Sequence, residues 1–120
     1  MAIYYVVYEN GELWLKEADI LSTLPITFLK IHQLHIVRDT VLASQYSRKK
    51  FPLMDYGEYV DTVVCFLEKL NPKLIIQRLC GEAPPNLLIA PKWGKRSAEI
   101  LLAIKNELRR RNSWQGKNYK

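Results

Sequence analysis

Cysteine, glycine and long apolar runs are scarce in this sequence of 120 residues. The two cysteines, Cys65 and Cys80, each lie inside an apolar segment, where a free thiol behaves as a small hydrophobic side chain. The five glycines are scattered, which excludes a glycine-rich dinucleotide-binding loop. No serine lies in a G-x-S-x-G pattern, so a nucleophile elbow is excluded as well. Unpaired thiols indicate a cytoplasmic protein.

The first eight residues have no basic segment, and Glu9 follows them directly. A secretory signal peptide begins with positive charge, and a membrane-spanning helix needs roughly 20 apolar residues. Neither pattern is present, so we expect no association with a membrane.

What is present is the composition of an ordinary globular domain, with 48% hydrophobic and 25% charged residues. The formal net charge of +6 is concentrated at one end. Residues 91–120 contain nine Lys and Arg against two Asp and Glu, whereas residues 1–90 contain nine against ten. We predict a single domain over residues 1–112, followed by a basic tail over residues 113–120.

The basic tail contains one tryptophan, Trp114. Such a tail can stack on a nucleic-acid base or dock back on its own domain. The first alternative describes a small nucleic-acid-binding module that would use Trp114 and the basic residues at this end: Arg109, Arg110, Arg111, Lys117 and Lys120.

Hydrophobic periodicity predicts strands and helices in alternation. We expect strands over residues 2–8, 27–37, 73–80 and 87–90, and helices over residues 12–24, 40–46, 55–70 and 97–111. Asp55 and Glu58 form a capping-box pattern at the start of the third helix. The second strand is apolar on both faces, as in a buried parallel strand. The order β-α-β-α-α-β-β-α therefore predicts an α/β fold with an open, mostly parallel sheet or a partial (β/α) barrel.

Two histidines, His32 and His35, fall on the second predicted strand. An odd separation on a strand sends two side chains to opposite faces, so we expect no shared metal ion and no metal site. By the same alternation, Lys30, His32 and Leu34 are expected on one face of this strand. On the third strand, one face is expected to carry three residues: Ile76, Arg78 and Cys80.

The last predicted helix begins at a basic segment, Lys95, Arg96 and Ser97. Together with Gly94, this segment resembles the last four residues of the phosphate-binding-loop motif. Ile89, however, stands where that motif requires its first glycine. Two interpretations stay open: an anion-binding site at the helix start, and simple capping of the helix.

Five separated segments occur in an order typical of one family. Together they resemble the C-terminal half of a radical SAM iron–sulfur oxidoreductase, of the branch related to oxygen-independent coproporphyrinogen oxidase, from about residue 13 onwards. Asp39 departs from the family pattern, which has glycine before Thr40. Residues 7–12 depart as well, since the family has a segment similar to Leu-Pro-Gly-Glu there. The five segments are residues 29–37, Thr40 with Tyr46, residues 77–82, residues 87–93 and residues 113–116.

The resemblance implies the distal part of a partial barrel, as a truncated gene product or a fragment. The complete family member would use SAM and a [4Fe–4S] cluster, which a C-x-x-x-C-x-x-C motif binds. These 120 residues do not contain that motif. No cofactor is therefore expected on this chain alone, and the isolated chain is expected to be inactive.

The resemblance also implies a set of cavity residues: Lys30, His32, His35 and Arg78 would line the SAM and substrate cavity. Histidine and arginine suit an anionic, adenine-bearing ligand through a hydrogen bond and a charge-assisted hydrogen bond. The alternative is a buried polar group that serves only the structure of the barrel. A sheet cut from a barrel leaves unpaired strand edges, which predicts a homodimer or pairing with a missing N-terminal half.

Overall fold

Nine elements follow one another along the chain. The computed structural model describes the backbone of residues 3–8, 11–50 and 52–120, and the side chains of residues 15–50 and 52–120. Ala2, the first residue of the first predicted strand, and Asn10, in the predicted turn after that strand, lie outside the described residues. The elements are β1 (Ile3–Tyr8), α1 (Gly11–Leu21), β2 (Phe28–Gln33), β3 (Ile36–Val37), α2 (Val41–Arg48), α3 (Tyr56–Lys69), β4 (Ile75–Arg78), β5 (Leu88–Ala90) and α4 (Ser97–Arg110).

The larger sheet has three parallel strands in the order β1-β2-β4. The register of β1 and β2 runs without a break from Ile3 opposite Phe28 to Tyr8 opposite Gln33. The predicted α/β class and mostly parallel pairing are therefore confirmed for this sheet. The described strands do not close into a barrel.

The second predicted strand, over residues 27–37, is interrupted. It ends at Gln33 and restarts at Ile36 as β3, which pairs antiparallel with β5 in a separate two-stranded sheet. The prediction of one continuous strand is wrong here, and the element order gains a strand. The break has a tertiary cause, because Gln33 binds a loop distant in sequence and β3 pairs with a strand that follows that loop.

The core lies on one side of the parallel sheet. Every second residue of β2 is buried there, namely Leu29, Ile31 and Gln33. Helices α1, α3 and α4 cover this side with apolar side chains such as Tyr59 and Ile104. Apolar side chains that recur every second residue along the strand and about every 3.6 residues along the helices pack together in one cluster. Its largest fully buried members are Tyr59, Phe66, Leu21, Leu29, Ile31, Leu70, Ile100, Ile104 and Val63.

The predicted capping box of α3 is confirmed. The Glu58 amide donates to Asp55 Oδ1 at 2.8 Å, and the Asp55 amide donates to Glu58 Oε1 at 3.3 Å. Two of the four amides that a helix start leaves without partners are thus satisfied. This fixes the start of the helix that supplies five of the buried core residues.

Asp39 adopts a left-handed backbone conformation, with φ of 64°. Only glycine adopts this region without steric cost, although Asp tolerates it better than most residues. It is the position at which the resembled family has glycine. Thr40, directly after Asp39, caps α2 by accepting from the Ala43 amide at 3.1 Å.

The C-terminal tail docks on the end of α3. The Gly116 amide donates to the Leu67 carbonyl at 2.9 Å, and the Asn118 amide donates to the Glu68 carbonyl at 2.7 Å. Gln115 Nε2 donates to two more carbonyls of the segment that follows α3. Of the two uses predicted for this tail, the structure contains docking on its own domain.

The described helices include none with the length and apolarity that crossing a membrane requires.

Candidate functional site

The face of the parallel sheet opposite the core carries the predicted cationic pair. Lys30 of β2 lies directly opposite Arg78 of β4 in the strand register, so both side chains are on this face. We call it the open face and define it by Lys30, His32 and Arg78. Lys30 and His32 are half-buried and Arg78 is exposed. Two cations and an imidazole thus lie together at the end of two neighbouring strands.

A bulge in β4 produces this arrangement. Leu29 pairs with Ile76 and the next residue, Lys30, pairs with Arg78, which leaves one extra residue in β4. An extra residue reverses the alternation of faces. The prediction that Ile76, Arg78 and Cys80 share a face is therefore wrong, because Ile76 packs against the core while Arg78 is on the open face. Cys80 is 5% exposed and belongs to the core.

Gln33 and Gly81 join the two strands beyond their ends. Gln33 Nε2 donates to the Gly81 carbonyl at 3.1 Å, and the Gly81 amide donates to Gln33 Oε1 at 2.8 Å. Gln33 is only 5% exposed, and both halves of its side-chain amide are satisfied by the backbone N–H and C=O of Gly81. The loop after β4 is thereby fixed against the end of β2.

The His32 ring lies directly on Gly81. A Cβ atom at position 81 would be 1.9 Å from His32 Cε1 and 2.0 Å from Nδ1, far inside contact distance. Only glycine lets the backbone approach the ring this closely. Sequence reasoning missed this contact, although a polar Gln33 among core-facing residues and a glycine after β4 are its visible signals.

His35 is adjacent to His32, contrary to the prediction of opposite faces. The ring centroids are 6.3 Å apart and the rings meet edge to face. The prediction is wrong because β2 ends at Gln33, so strand alternation no longer applies at His35. The pKa of His32 is lowered mainly by burial, and the positive charges of Arg78 and Lys30 lower it further. The pKa of His35 is lowered mainly by burial and, to a smaller extent, by electrostatic interaction with His32. Both imidazoles are therefore neutral at pH 7, each with one nitrogen that accepts and one that donates.

One of the predicted anion-binding residues, Ser97, already binds a carboxylate of this chain, Glu82. Glu82 Oε1 accepts from the Ser97 hydroxyl at 2.5 Å and from the Ser97 amide at 3.3 Å. The hydrogen bond from the Ser97 hydroxyl, and next the one from the Ser97 amide, lower the pKa of Glu82. The Arg96 amide donates to Glu99, and the Lys95 ammonium lies 5.4 Å from the centre of the Tyr56 ring. Capping groups of this chain thus occupy the start of α4, while the anion site stays a prediction.

The two cysteines do not fit a [4Fe–4S] cluster. Cys80 is in the core and its thiol donates to the Ser97 carbonyl at 3.6 Å. Cys65 lies on α3, where its sulfur accepts from Arg111. Three closely spaced thiolates are what the cluster motif supplies, and this chain has two separated thiols. In residues 15–50 and 52–120, no three metal-ligating side chains gather at one place.

Carboxylates of the same chain neutralise part of the C-terminal arginine run. Arg110 and Arg111 both donate to Glu107, at 2.6 to 2.8 Å, and Arg111 also pairs with Asp61. Trp114 is 57% exposed, with the Lys117 ammonium 5.6 Å from its ring centre. The internal ion pairs lower the positive charge that this segment offers to phosphates, so the structure adds nothing in favour of the nucleic-acid alternative.

Comparison with known proteins places the chain in a family. The model of the Radical_SAM C-terminal domain matches residues 26–110, and the chain belongs to that family. The match covers the open face, the Gln33 and Gly81 contact and all of α4, so the family assignment includes every residue of the candidate site.

Two relatives extend this comparison. The chain is 34% identical over 109 residues to the uncharacterized protein YtqA of Bacillus subtilis (strain 168), a match that covers 91% of this chain and 34% of the relative. It is 32% identical over 113 residues to the uncharacterized protein MJ0486 of Methanocaldococcus jannaschii, which covers 91% of this chain and 35% of the relative. The chain thus spans about a third of the length of the relatives it matches.

Proposed function

We propose that this chain forms the anion-binding wall of the SAM and substrate cavity of a radical SAM enzyme, with its parallel sheet as part of a partial (β/α) barrel. The observation that carries the proposal is the alignment of Lys30 with Arg78 beside His32 on the open face. Membership of the Radical_SAM C-terminal domain family supports the assignment to this class of enzyme. We include the branch related to oxygen-independent coproporphyrinogen oxidase in the proposal.

The chemistry of the open face suits a ligand with a carboxylate and a purine. Lys30 and Arg78 supply an ammonium and a guanidinium, which bind carboxylates through charge-assisted hydrogen bonds. His32 and His35 are neutral, so each can donate to and accept from a purine edge or an amide without adding charge. Arg78 is exposed and therefore reaches a ligand without first breaking a buried contact.

In complete members of this family, SAM and a [4Fe–4S] cluster supply the radical chemistry. The residues of this chain do not fit the cluster, so its proposed part is to bind and orient the ligand. We further propose that the chain alone is catalytically inactive, because the redox cofactor would have to be held by other residues.

The outer strand β1 of the parallel sheet is the proposed contact with a partner. It has one edge that pairs with no other described strand. Such an edge presents unpaired amides and carbonyls and is a template for another strand. A second copy of this chain, or the remaining part of a radical SAM enzyme, would satisfy these groups. Sedimentation at high micromolar concentration tests the first case, and a single monomeric species would contradict the homodimer.

A binding experiment tests the proposed ligand wall. We expect S-adenosyl-L-homocysteine, which has the carboxylate and adenosine of SAM without the sulfonium charge, to shift amide resonances of residues 30–35 and 78–82. Arg78→Ala removes one charge-assisted hydrogen bond and should weaken binding about ten-fold. His32→Ala should weaken it as well.

The exposed Lys49, outside the open face, provides the matched control. Lys49→Ala should bind like the wild type. If the ligand causes no shifts, or if all three variants bind equally well, the open face is not the ligand wall.

A further inference from the structure

A second cleft lies beside the open face, between β4 and α4, with a volume of about 660 Å³. One wall is the edge of β4 that faces away from β2. The other wall is a single stripe of α4, because Ser97, Leu101 and Lys105 are four residues apart and lie one above the other on a helix. The volume falls within the ~300–1,000 Å³ typical of small-molecule sites.

The middle of the cleft is apolar. Ile76 and Leu79 contribute from the β4 side, and Ala98 and Leu101 contribute from α4. Ala98 is exposed on this stripe, while Ile100 and Ile104 take the core positions. A half-buried Leu101 above a half-buried Ile76 leaves apolar surface that a ligand can cover.

The cleft has a direction, and its ends differ in charge. The Cys80 thiol donates to the Ser97 carbonyl, so the end of β4 meets the start of α4. Glu82 occupies this end and accepts two hydrogen bonds from Ser97. Lys105 is eight residues further along the helix, which places it roughly 12 Å away at the other end.

One cation of the cleft has no opposite charge to pair with. Lys105 forms no ion pair with a carboxylate in the described part of the chain. Glu82 is the one carboxylate among the lining residues, and its hydrogen bonds to Ser97 hold it at the other end of the cleft, which Arg78 also borders. An unpaired cation next to apolar walls attracts a ligand that is both anionic and apolar.

We propose that this cleft is a binding site for an amphipathic organic carboxylate, with the carboxylate at Lys105 and the apolar part against Ile76, Leu79 and Leu101. The site goes beyond the proposed ligand wall, which is on the open face, although Arg78 borders both. Glu82 excludes a second anionic group from the end near Ser97 and accepts from a ligand hydroxyl or amine there. The site therefore selects against dicarboxylates with a charge at each end.

Titration of the full chain with sodium decanoate tests the site, with amide shifts and the dissociation constant as readouts. We expect shifts in residues 76–82 and 97–105. Decylammonium has the same tail and the opposite charge, and should bind at least about ten-fold more weakly. Butanoate has the same charge and little apolar surface, and should also bind more weakly.

Three variants separate this site from the open face. Lys105→Glu should weaken decanoate binding about ten-fold and leave S-adenosyl-L-homocysteine binding unchanged. His32→Ala should do the reverse. Lys73→Glu changes an exposed lysine outside the cleft by the same charge and should bind both ligands like the wild type.

Because Lys105 is exposed, Lys105→Glu should fold, which a thermal unfolding curve checks. Equal affinity for decanoate and decylammonium, shifts confined to the open face, or unchanged decanoate binding by Lys105→Glu would each overturn the proposal. If S-adenosyl-L-homocysteine fails to bind while decanoate binds as expected, the ligand wall is wrong and the cleft stands.

Discussion

Gln33 and Gly81, 48 residues apart in the chain, exchange two hydrogen bonds between the side-chain amide of Gln33 and the backbone N–H and C=O of Gly81. The pair is buried, so neither group can replace its partner with water. It connects the end of β2 to the loop after β4 and holds the backbone of Gly81 against the His32 ring. The geometry of the candidate site therefore depends on two residues that need not touch any ligand.

Replacement of Gly81 tests this dependence. In Gly81→Ala the new methyl group would overlap the His32 ring, so the ring or the loop must move. We expect a loss of stability of about 1–3 kcal/mol, the usual cost of added volume at a packed site. Urea unfolding measures it, and the His32 ring resonances should shift.

Gly57 is the matched control for that change. It lies inside α3, where the nearest atom to an added methyl group is Asp55 Oδ1 at an ordinary 3.5 Å. Gly57→Ala should therefore stabilise the protein by up to ~1 kcal/mol through helix propensity. Equal effects of the two substitutions would contradict the close contact at Gly81.

Asp39→Gly should stabilise the protein. Asp39 has φ of 64°, where a Cβ atom crowds the following carbonyl, and glycine removes that strain. The added flexibility of the unfolded chain offsets part of the gain, so the net effect is roughly 0.5–1 kcal/mol. Arg38→Gly, at the neighbouring exposed residue without positive φ, should destabilise, and thermal unfolding compares the two. A loss of stability in both would argue against strain at Asp39.

Glu107 makes stability depend on acid pH. Hydrogen bonds from Arg110 and Arg111 lower its pKa from 4.5 to about 2. A carboxyl group whose pKa is lowered by folding stabilises the folded state above its unfolded pKa, so this contribution is complete above pH 4.5 and is lost as the pH falls towards 2.

Glu107→Gln should remove this part of the pH dependence, which melting temperatures between pH 6 and pH 2 would measure. Glu107 is half-buried and its partner Arg110 is exposed, so about 1 M salt should partly screen the interaction and reduce the difference between the two proteins. The same acid-induced loss in both proteins, at low salt, would show that Glu107 is not its source.

Anaerobic reconstitution of the isolated chain with iron, sulfide and a reductant should give no iron–sulfur cluster. Two separated cysteines cannot supply the three thiolates of the cluster motif. The absorption spectrum should remain free of cluster bands, and SAM should not be cleaved. A brown protein that cleaves SAM unaided would disprove the proposed inactivity of this chain.

Local patterns in the sequence predicted the elements that depend on near neighbours. The apolar spacing and capping box of α3 gave its bounds to within one residue, because helix periodicity and caps act over four residues. The alternation of β2 and its apolar faces likewise predicted a parallel strand. The lateral position of Lys30 beside Arg78 was not predictable, since it depends on an extra residue in β4.

The sequence by itself determined the fold class, the helix starts, the lack of a cluster motif and the candidate residues on β2 and β4. Tertiary structure alone decided that His32 and His35 are neighbours, that Ile76 and Arg78 are on opposite faces, and that Gly81 lies under an imidazole ring. The physical reason is the separation along the chain between the residues that interact. Periodicity and capping are fixed by residues within a few positions of each other, whereas strand breaks, bulges and close backbone contacts are set by partners about 50 residues away along the chain.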